Sequence, residues 1–304
     1  GQGDIRILLT ASSTETDPAY LFTRKHGDGV VTIGYAVDDA QFAAEIASKK
    51  GAKVLDKFQV YRGMNGAERL ESTIASFGDV RNSFVSYKSG RFDNFFPEQN
   101  KALAAPKGKF LQTIDHVTVN VEKGEVDRWV RFHEDIFGMS LVRQFDIRTN
   151  RTGLFSKAMR NPNGRVTMPF NEPTDTKSQI QEFIDTFHGP GVQHVAFHTS
   201  DIILCLTDLI QKGFKFLSVP ESYYEMVPSR VPNVVEDLKV LGKLGILVDG
   251  SPTGYLLQIF TETVMGPFFF EFIQRKGDNG FGDGNFRALF ESIERDQIRR
   301  GVLA

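Results

Sequence analysis

The sequence predicts an α+β fold made of tandem units, each a strand, a helix and about three further strands. Three observations predict it. The chain resembles itself at a spacing of 162 residues and, inside its C-terminal half, again at 78. Each copy reads as a Gly turn, a strand, an acidic helix start, an amphipathic helix and a Gly stop. Near the C-terminus, Gly266-Pro267-Phe268-Phe269-Phe270-Glu271-Phe272-Ile273-Gln274-Arg275 reads as a strand apolar on both faces, hence buried, with one carboxylate in it.

The longer repeat aligns His26-Gly27-Asp28-Gly29-Val30-Val31-Thr32-Ile33 with His188-Gly189-Pro190-Gly191-Val192-Gln193-His194-Val195, and runs without a gap to Leu55 and Leu217. Asp39/Asp201, Lys50/Lys212 and Gly51/Gly213 are among its identical pairs. The chain therefore divides into related halves, 1–105 and 106–304, joined around Ala104-Ala105-Pro106-Lys107-Gly108. Near that offset Asp4–Thr10 matches Val166–Asn171, so the N-terminal half lacks counterparts of Ile114–Pro162, and the native polypeptide is expected to be longer at its front by about those 49 residues. Thr32 stands where the second half has His194, so the N-terminal half is expected to be metal-free and to serve assembly or support.

The shorter repeat aligns Ile114-Asp115-His116-Val117-Thr118-Val119 with Val192-Gln193-His194-Val195-Ala196-Phe197. Helices follow each strand, Val126 to Phe137 stopped at Gly138 and Ile202 to Lys212 stopped at Gly213. Hairpins come next. Leu154–Met159 and Arg165–Phe170 flank Asn161-Pro162-Asn163-Gly164; Ile246–Val248 and Tyr255–Phe260 flank Asp249-Gly250-Ser251-Pro252-Thr253-Gly254. His133, beside Trp129, Phe132 and Ile136, is expected at a core margin. His188 ends a helix, where a cation is favoured, and His26 repeats it, so both read as structural. A last helix is expected from Arg287 to Arg299, with Phe286, Leu289, Phe290 and Ile293 as its docked stripe and Glu291 and Arg295 paired on its exposed side. The Gly-rich stretch before it, Lys276 to Phe286, does not fit a dinucleotide loop, and Asp278 and Asp283 would repel phosphate.

Composition narrows the function classes. The chain has 304 residues, 40% hydrophobic and 24% charged, as a globular protein has. Net charge is −2 with no basic run, which argues against nucleic acid and anionic membrane as partners. No apolar stretch reaches the roughly 18 residues of a membrane span. The one cysteine, Cys205, excludes an internal disulfide, fits a reducing cytoplasm and falls in an apolar helical pattern as a small core residue. Phe, at 27 residues, is abundant enough to suggest an aromatic-lined interior.

Glu271 poses the chemical question. A buried carboxylate costs several kcal/mol unless a cation or hydrogen bonds compensate it. His116 and His194 hold the same position in two repeats, on first strands. A single histidine on an apolar strand is commonly a satisfied core residue. Two at equivalent positions, with an otherwise unexplained glutamate, point instead to a metal. Two imidazoles and one carboxylate form the facial set typical of non-haem Fe(II). His198 shares the face of His194, but its counterpart is Asn120, so it is excluded.

These residues carry a family likeness. Ile114-Asp115-His116-Val117, Leu154-Phe155-Ser156, Met168-Pro169-Phe170-Asn171-Glu172-Pro173, Lys177-Ser178-Gln179-Ile180, Gly189–His194, Tyr255–Thr261 and Phe269–Arg275 through Asn285-Phe286 resemble the 4-hydroxyphenylpyruvate dioxygenase family of the vicinal-oxygen-chelate superfamily, across residues 3–303. The resemblance implies βαβββ modules paired into open barrel-like sheets of the glyoxalase type, with the C-terminal helix as a lid. It implies Fe(II) held by His116, His194 and Glu271. It implies 4-hydroxyphenylpyruvate and O₂ as substrates, homogentisate and CO₂ as products, and a homodimer or tetramer. The substrate's own α-keto acid chelates the metal, so no separate keto acid is needed. Ser156, Asn171, Gln179 and Gln258 match the family's polar pocket residues. Pro169, Phe260 and Phe269 match lining residues, and Phe281 and Phe286 those of the lid; ordinary core packing is the alternative for each Phe. The rivals are 4-hydroxymandelate synthase, in which a smaller aliphatic residue typically stands at the position of Phe260, a non-catalytic binding protein of this fold, and an extradiol ring-cleaving dioxygenase, against which the aromatic lid argues.

Overall fold

The computed structural model describes residues 4–63, 66–90, 110–149, 152–282, 284–285, 297–298 and 301. The joint near residue 105, Phe286, and all of the expected last helix except the helical Gln297 and Ile298, with its stripe and its Glu291–Arg295 pair, lie outside those residues.

One connectivity occurs three times. The N-terminal module runs β1 (Thr32–Ala36), α2 (Ala40–Lys49), β2 (Val54–Arg62), β3 (Glu68–Ala75) and β4 (Arg81–Ser89), preceded by α1 (Pro18–His26). The second runs β5 (Leu111–Asn120), α3 (Val126–Phe137), β6 (Ser140–Arg148), β7 (Gly153–Arg160) and β8 (Thr167–Pro173). After α4 (Gln179–Phe187), the third runs β9 (Gly191–Thr199), α5 (Ile202–Gln211), β10 (Leu247–Ser251), β11 (Gly254–Phe260) and β12 (Phe269–Lys276), with α6 (Glu221–Arg230) and α7 (Leu238–Leu244) inserted after α5. In every module the first strand lies parallel to the last, as β1–β4, β5–β8 and β9–β12. The N-terminal sheet has the order β1-β4-β3-β2, and the other β10-β11-β12-β9-β5-β8-β7-β6, two modules joined by the antiparallel pair β5–β9. This is the glyoxalase-type α+β architecture that the repeats and the family likeness led one to expect.

The repeat is visible in detail. Helices α2 and α5 start at equivalent residues, and the acidic starts are N-caps: Asp39 accepts from the Phe42 N–H and Asp201 from the Leu204 N–H, both at 3.0 Å. Gly138 ends α3 in the left-handed conformation, at φ 62°. The equivalent glycines 29 and 191 pinch one ring from both edges: a Cβ on either would lie 2.5 or 2.4 Å from Phe187. Phe187 also ties the halves together, because its carbonyl lies 2.6 Å from Nδ1 of the buried His26, whose Nε2 meets Asp79 at 2.9 Å. Tyr35, Phe77 and Val80 of the N-terminal half share a core with Val119, Trp129, Phe170 and Phe268. Cys205 is buried among Ile202, Leu206 and Leu241, and burial pushes its thiol up to about 11.

Two readings need correction, and three elements carry too weak a sequence signal to be delimited. Asp4–Thr10 does not form the counterpart of β8: Asp4 donates its N–H to the Gln112 carbonyl at 2.7 Å, and Ile5 is buried in the C-terminal half's core. β8 is held between β5 and β7, and the N-terminal sheet contains counterparts of β9 to β12 only. His133 is not at a margin but wholly buried, against Phe132, Phe137 and Phe170. Last, β6, α6 and α7 were not delimited from the sequence. β6 is a largely exposed edge strand without clean alternation, and α6 carries Pro228 inside it.

Candidate metal centre

The aromatic strand is β12, and both its faces are buried as expected, with Phe269, Glu271 and Ile273 on one and Phe268 and Phe272 on the other. Register places the functional residues on a single face of the eight-stranded sheet, since cross-strand partners share a face. Ser156 pairs with Asn171 and Asn171 with Asn120, while Thr118 pairs with His194, His194 with Phe269, and Glu271 with Phe260. Alternation brings His116, Pro169 and Gln258 onto that same face.

His116, His194 and Glu271 converge. One donor atom from each lies within 4.8 Å of the others, all three residues being buried; among the described residues this is the one such group. The Nε2 atoms of His116 and His194 approach Glu271 Oε2 at 3.1 and 3.4 Å. The outer ring nitrogens are both occupied: His116 Nδ1–H donates to Asp115 at 2.8 Å and His194 Nδ1–H to Gln193 at 3.0 Å. Each Nε2 is thereby aimed at the common point, the orientation that metal-ligating imidazoles take. Among the described residues Glu271 has one further partner, the Gln258 amide N–H at 3.3 Å, and Gln258 packs against Asn285 at 3.2 Å.

The electrostatics explain the carboxylate. Burial would raise Glu271, but the two imidazoles outweigh burial and hold it below the usual range. Burial opposes charge on His116, yet Glu271, with Asp115 behind the ring, pushes it up to about 9. Burial lowers His194, offset only in part by Glu271. Asp115 is balanced by its own partner, the Arg275 guanidinium, through Nε and Nη2 at 2.8 Å each. Among the described residues, no guanidinium or ammonium forms an ion pair with Glu271, whose charged partners are the two imidazoles. Two aimed imidazole nitrogens plus a Glu271 oxygen are a donor set that fits a divalent first-row cation.

Two β-bulges create this aim. Ile114 pairs with Phe197 and His116 with Ala196, so Asp115 is the extra residue on β5; Thr118 pairs with His194 and Val119 with Val192, so Gln193 is the extra residue on β9. These positions are equivalent in the shorter repeat. Without a bulge the residue before each histidine would face the opposite side of the sheet. Sequence reasoning missed Asp115, Gln193 and Arg275 as participants. The available signal was a polar residue before both histidines.

Of the other candidate residues, Ser156, Pro169, Asn171, Gln258 and Phe260 lie on the same sheet face as the centre, and Gln179 lies on α4. Ser156, Asn171, Gln258 and Glu271 are almost wholly buried, and Gln179 nearly so at the first position of α4. Asn171 donates to Asn120 Oδ1 at 3.2 Å, which leaves Asn171 Oδ1 and Asn120 Nδ2 buried without partners, as are Ser156 Oγ and Gln179 Oε1. Three of these atoms, on Ser156, Asn171 and Asn120, share one sheet face, and each costs about 1–3 kcal/mol unless something polar binds there. Asn120 was weighed in the sequence only as a counterpart of His198. His198 lies away from the centre, 3.0 Å from Gln112. Phe269 stacks on His194 at 4.8 Å between ring centres; Phe260 meets His194 edge-on at 6.2 Å and Phe281 meets His116 edge-on at 6.0 Å. Pro169 is buried on β8 beside Ala158.

Residues 113–226 match the model of the Glyoxalase/Bleomycin resistance protein/Dioxygenase superfamily. A 4-hydroxyphenylpyruvate dioxygenase from Pseudomonas aeruginosa is 43% identical over 304 residues, 99% of this chain and 84% of that protein. One from Legionella pneumophila strain Corby is 40% identical over 307 residues, 99% of this chain and 85% of that protein. Among solved structures, a triple mutant of 4-hydroxymandelate synthase from Streptomyces coelicolor superposes with a TM-score of 0.80 at 28% identity, over 94% of this chain and 82% of that one.

Proposed function

We infer the activity of this chain from two facts: it belongs to the 4-hydroxyphenylpyruvate dioxygenase family, and two imidazoles and a carboxylate meet at one point of its aromatic-lined sheet face. It is a non-haem iron dioxygenase that converts 4-hydroxyphenylpyruvate and O₂ into homogentisate and CO₂, a step of tyrosine breakdown. The convergence of His116, His194 and Glu271 carries the reading.

In this proposal Fe(II) is the metal, held by His116 Nε2, His194 Nε2 and Glu271. When bound, it supplies Lewis acidity toward the keto acid and the electrons with which O₂ reacts. The protein's own contribution is position and exclusion. Phe260, Phe269 and Phe281 wall the centre and keep water from it, and Phe286 is assigned to the same wall by its sequence match alone. The unpartnered atoms of Ser156, Asn171 and Gln179 give the substrate's oxygens places to bind, so the ring and the keto acid are fixed at opposite ends. Gln258 holds Glu271 through one oxygen and leaves the other toward the metal. Pro169 shapes the floor without adding a donor.

Residues 106–304 would be the catalytic half and 1–105 a support for assembly. A homodimer or tetramer in the cytoplasm is part of the same proposal; light scattering tests the first and cell fractionation the second. No helix among the described residues is long and apolar enough to cross a membrane.

The deciding experiment is anaerobic addition of Fe(II), then 4-hydroxyphenylpyruvate, then air. A visible charge-transfer band before air and homogentisate after it are expected. 4-Hydroxymandelate as product would overturn the choice of reaction. No O₂ uptake by the iron-loaded protein would favour a ligand-binding role.

A further inference from the structure

We propose that Arg275 is a positioning residue that couples the metal-binding His116 to the loop Gly277–Gly282 through one guanidinium. Its donors serve two tasks. Nε and Nη2 form a bidentate fork on Asp115, at 2.8 Å each, and the Asp115 oxygen bound by Nη2 also takes the His116 Nδ1–H at 2.8 Å. Nη1 donates to the loop, to the Asp278 carbonyl at 3.1 Å and the Gly280 carbonyl at 2.6 Å. The carbonyl between them, Asn279, accepts from Arg160 at 3.2 Å. Three consecutive loop carbonyls are thus held by two guanidiniums.

The loop returns to the centre. Phe281 sets its ring edge-on to His116, 6.0 Å between ring centres, and packs on Phe145 at 6.2 Å. Gly282, at φ +72°, presses on Gln258 so closely that a Cβ there would lie 1.9 Å from Gln258 Oε1. Gln258 in turn holds Glu271. The loop therefore bears on two of the three candidate ligands, and Arg275 bears on the loop and on His116 together. The bulge at Asp115 makes the fork possible by turning that carboxylate toward β12.

Such an arrangement predicts reciprocity. If fixing His116 on a metal steadies Asp115 and Arg275, it steadies the loop; the loop must then favour metal binding by the same factor. An ordinary structural ion pair would hold the loop equally with and without metal. A planar fork is required to serve both partners at once, so Lys is a poor substitute.

The inference rests on reading His116, His194 and Glu271 as the metal-binding set. The test is backbone hydrogen exchange of residues 277–282 in the whole chain, with and without Fe(II) under anaerobic conditions, together with Fe(II) affinity by chelator competition. Exchange at Gly280–Gly282 is expected to slow at least about threefold on Fe(II) binding. Arg275→Gln should abolish that metal dependence and weaken Fe(II) about tenfold, the lower end for losing an outer partner of a ligand; Arg275→Lys should restore part of both. Arg160→Gln, which leaves the Asp115 fork intact, should speed exchange in both states and preserve their ratio. Metal-independent exchange in the unmutated chain would overturn the proposal. So would an Arg275→Gln protein with unchanged affinity and unchanged slowing, or a ratio lost in Arg160→Gln. An unmutated chain that takes up no Fe(II) would instead remove the metal-site reading beneath it.

Discussion

Acid should destabilise this fold through His133. The imidazole is wholly buried on α3, its Nδ1–H donating to the Trp129 carbonyl at 2.8 Å while Nε2 has no partner. Phe132, Phe137 and Phe170 surround it, and among the described residues no carboxylate faces it to offset the cost of burying a charge. Burial lowers the group from 6.5 to about 4, against a small opposing effect of the Trp129 carbonyl. The folded value lies below the unfolded one. Stability is therefore fully present above pH 6.5 and is lost as pH falls toward 4, because the unfolded chain takes the proton first. Each unit of separation is worth about 1.4 kcal/mol, so roughly 2 kcal/mol is lost by about pH 5 and about 3 kcal/mol below about pH 4. His133→Phe keeps an aromatic ring in an aromatic site and removes the titration. Urea unfolding midpoints of both proteins at several pH values between 7 and 4 read the effect directly. The native chain should lose stability more steeply than the variant by these amounts. Parallel lines would refute the reasoning. The consequence would reach the site, since Phe170 lies between Pro169 and Asn171 on β8.

Three further outcomes follow from the centre itself. His194→Ala or Glu271→Ala should abolish turnover by loss of metal, read by metal analysis after desalting; full activity in either contradicts the ligand set. Gly282→Ala should place a methyl group on Gln258 and strain a left-handed residue by roughly 1–2 kcal/mol, so kcat/KM should fall about tenfold or more while the fold survives. Ser156→Ala removes a buried hydroxyl that has no partner, so the melting temperature should hold or rise while KM for the keto acid increases.

The histidines could be read from the sequence because a repeat turns two unremarkable strand residues into one position seen twice. Glu271 was legible because its strand is apolar on both faces, which leaves a carboxylate to be explained. The strand–helix–strand rhythm survived for a similar reason: Asp39 and Asp201 cap helices that begin at equivalent residues. What failed was whatever depends on partners distant in sequence. β6 is an edge strand with most of its residues exposed, so burial imprints no alternation on it. The bulges at Asp115 and Gln193 arise from pairing between β5 and β9, and their register shift cannot be inferred from either strand alone. The depth of His133 is set by Phe170 across the module as much as by its own helix. The role of Arg275 has no local signal in the sequence, because its fork lies on a residue 160 positions earlier.

Register also explains why a repeated fold yields a one-sided centre. On β12, Glu271 stands opposite Ala196, and the counterpart of Ala196 in the shorter repeat is Thr118. Val119 pairs with Phe170 on β8, so one step earlier along the same register Pro169 stands at Thr118. Pro169 therefore occupies in one module the place of Glu271 in the other. Proline offers no side-chain donor and no N–H, and the β5–β8 ladder has only the two pairs that follow it, Val119–Phe170 and Asn120–Asn171. In the proposed centre the ligands would come from β5, β9 and β12, while β7 and β8 carry the unpartnered atoms of Ser156 and Asn171 on the same face, next to Asn120 at the end of β5. Pro169→Glu should close that side. Without metal the variant should melt below the native chain, because it buries a second carboxylate on the sheet face that carries Glu271. Metal should restore the melt, while turnover of 4-hydroxyphenylpyruvate falls at least about a hundredfold because substrate can no longer reach the open positions. A Pro169→Glu protein that turns over normally, or one that metal fails to restabilise, would show that β8 does not face the open side.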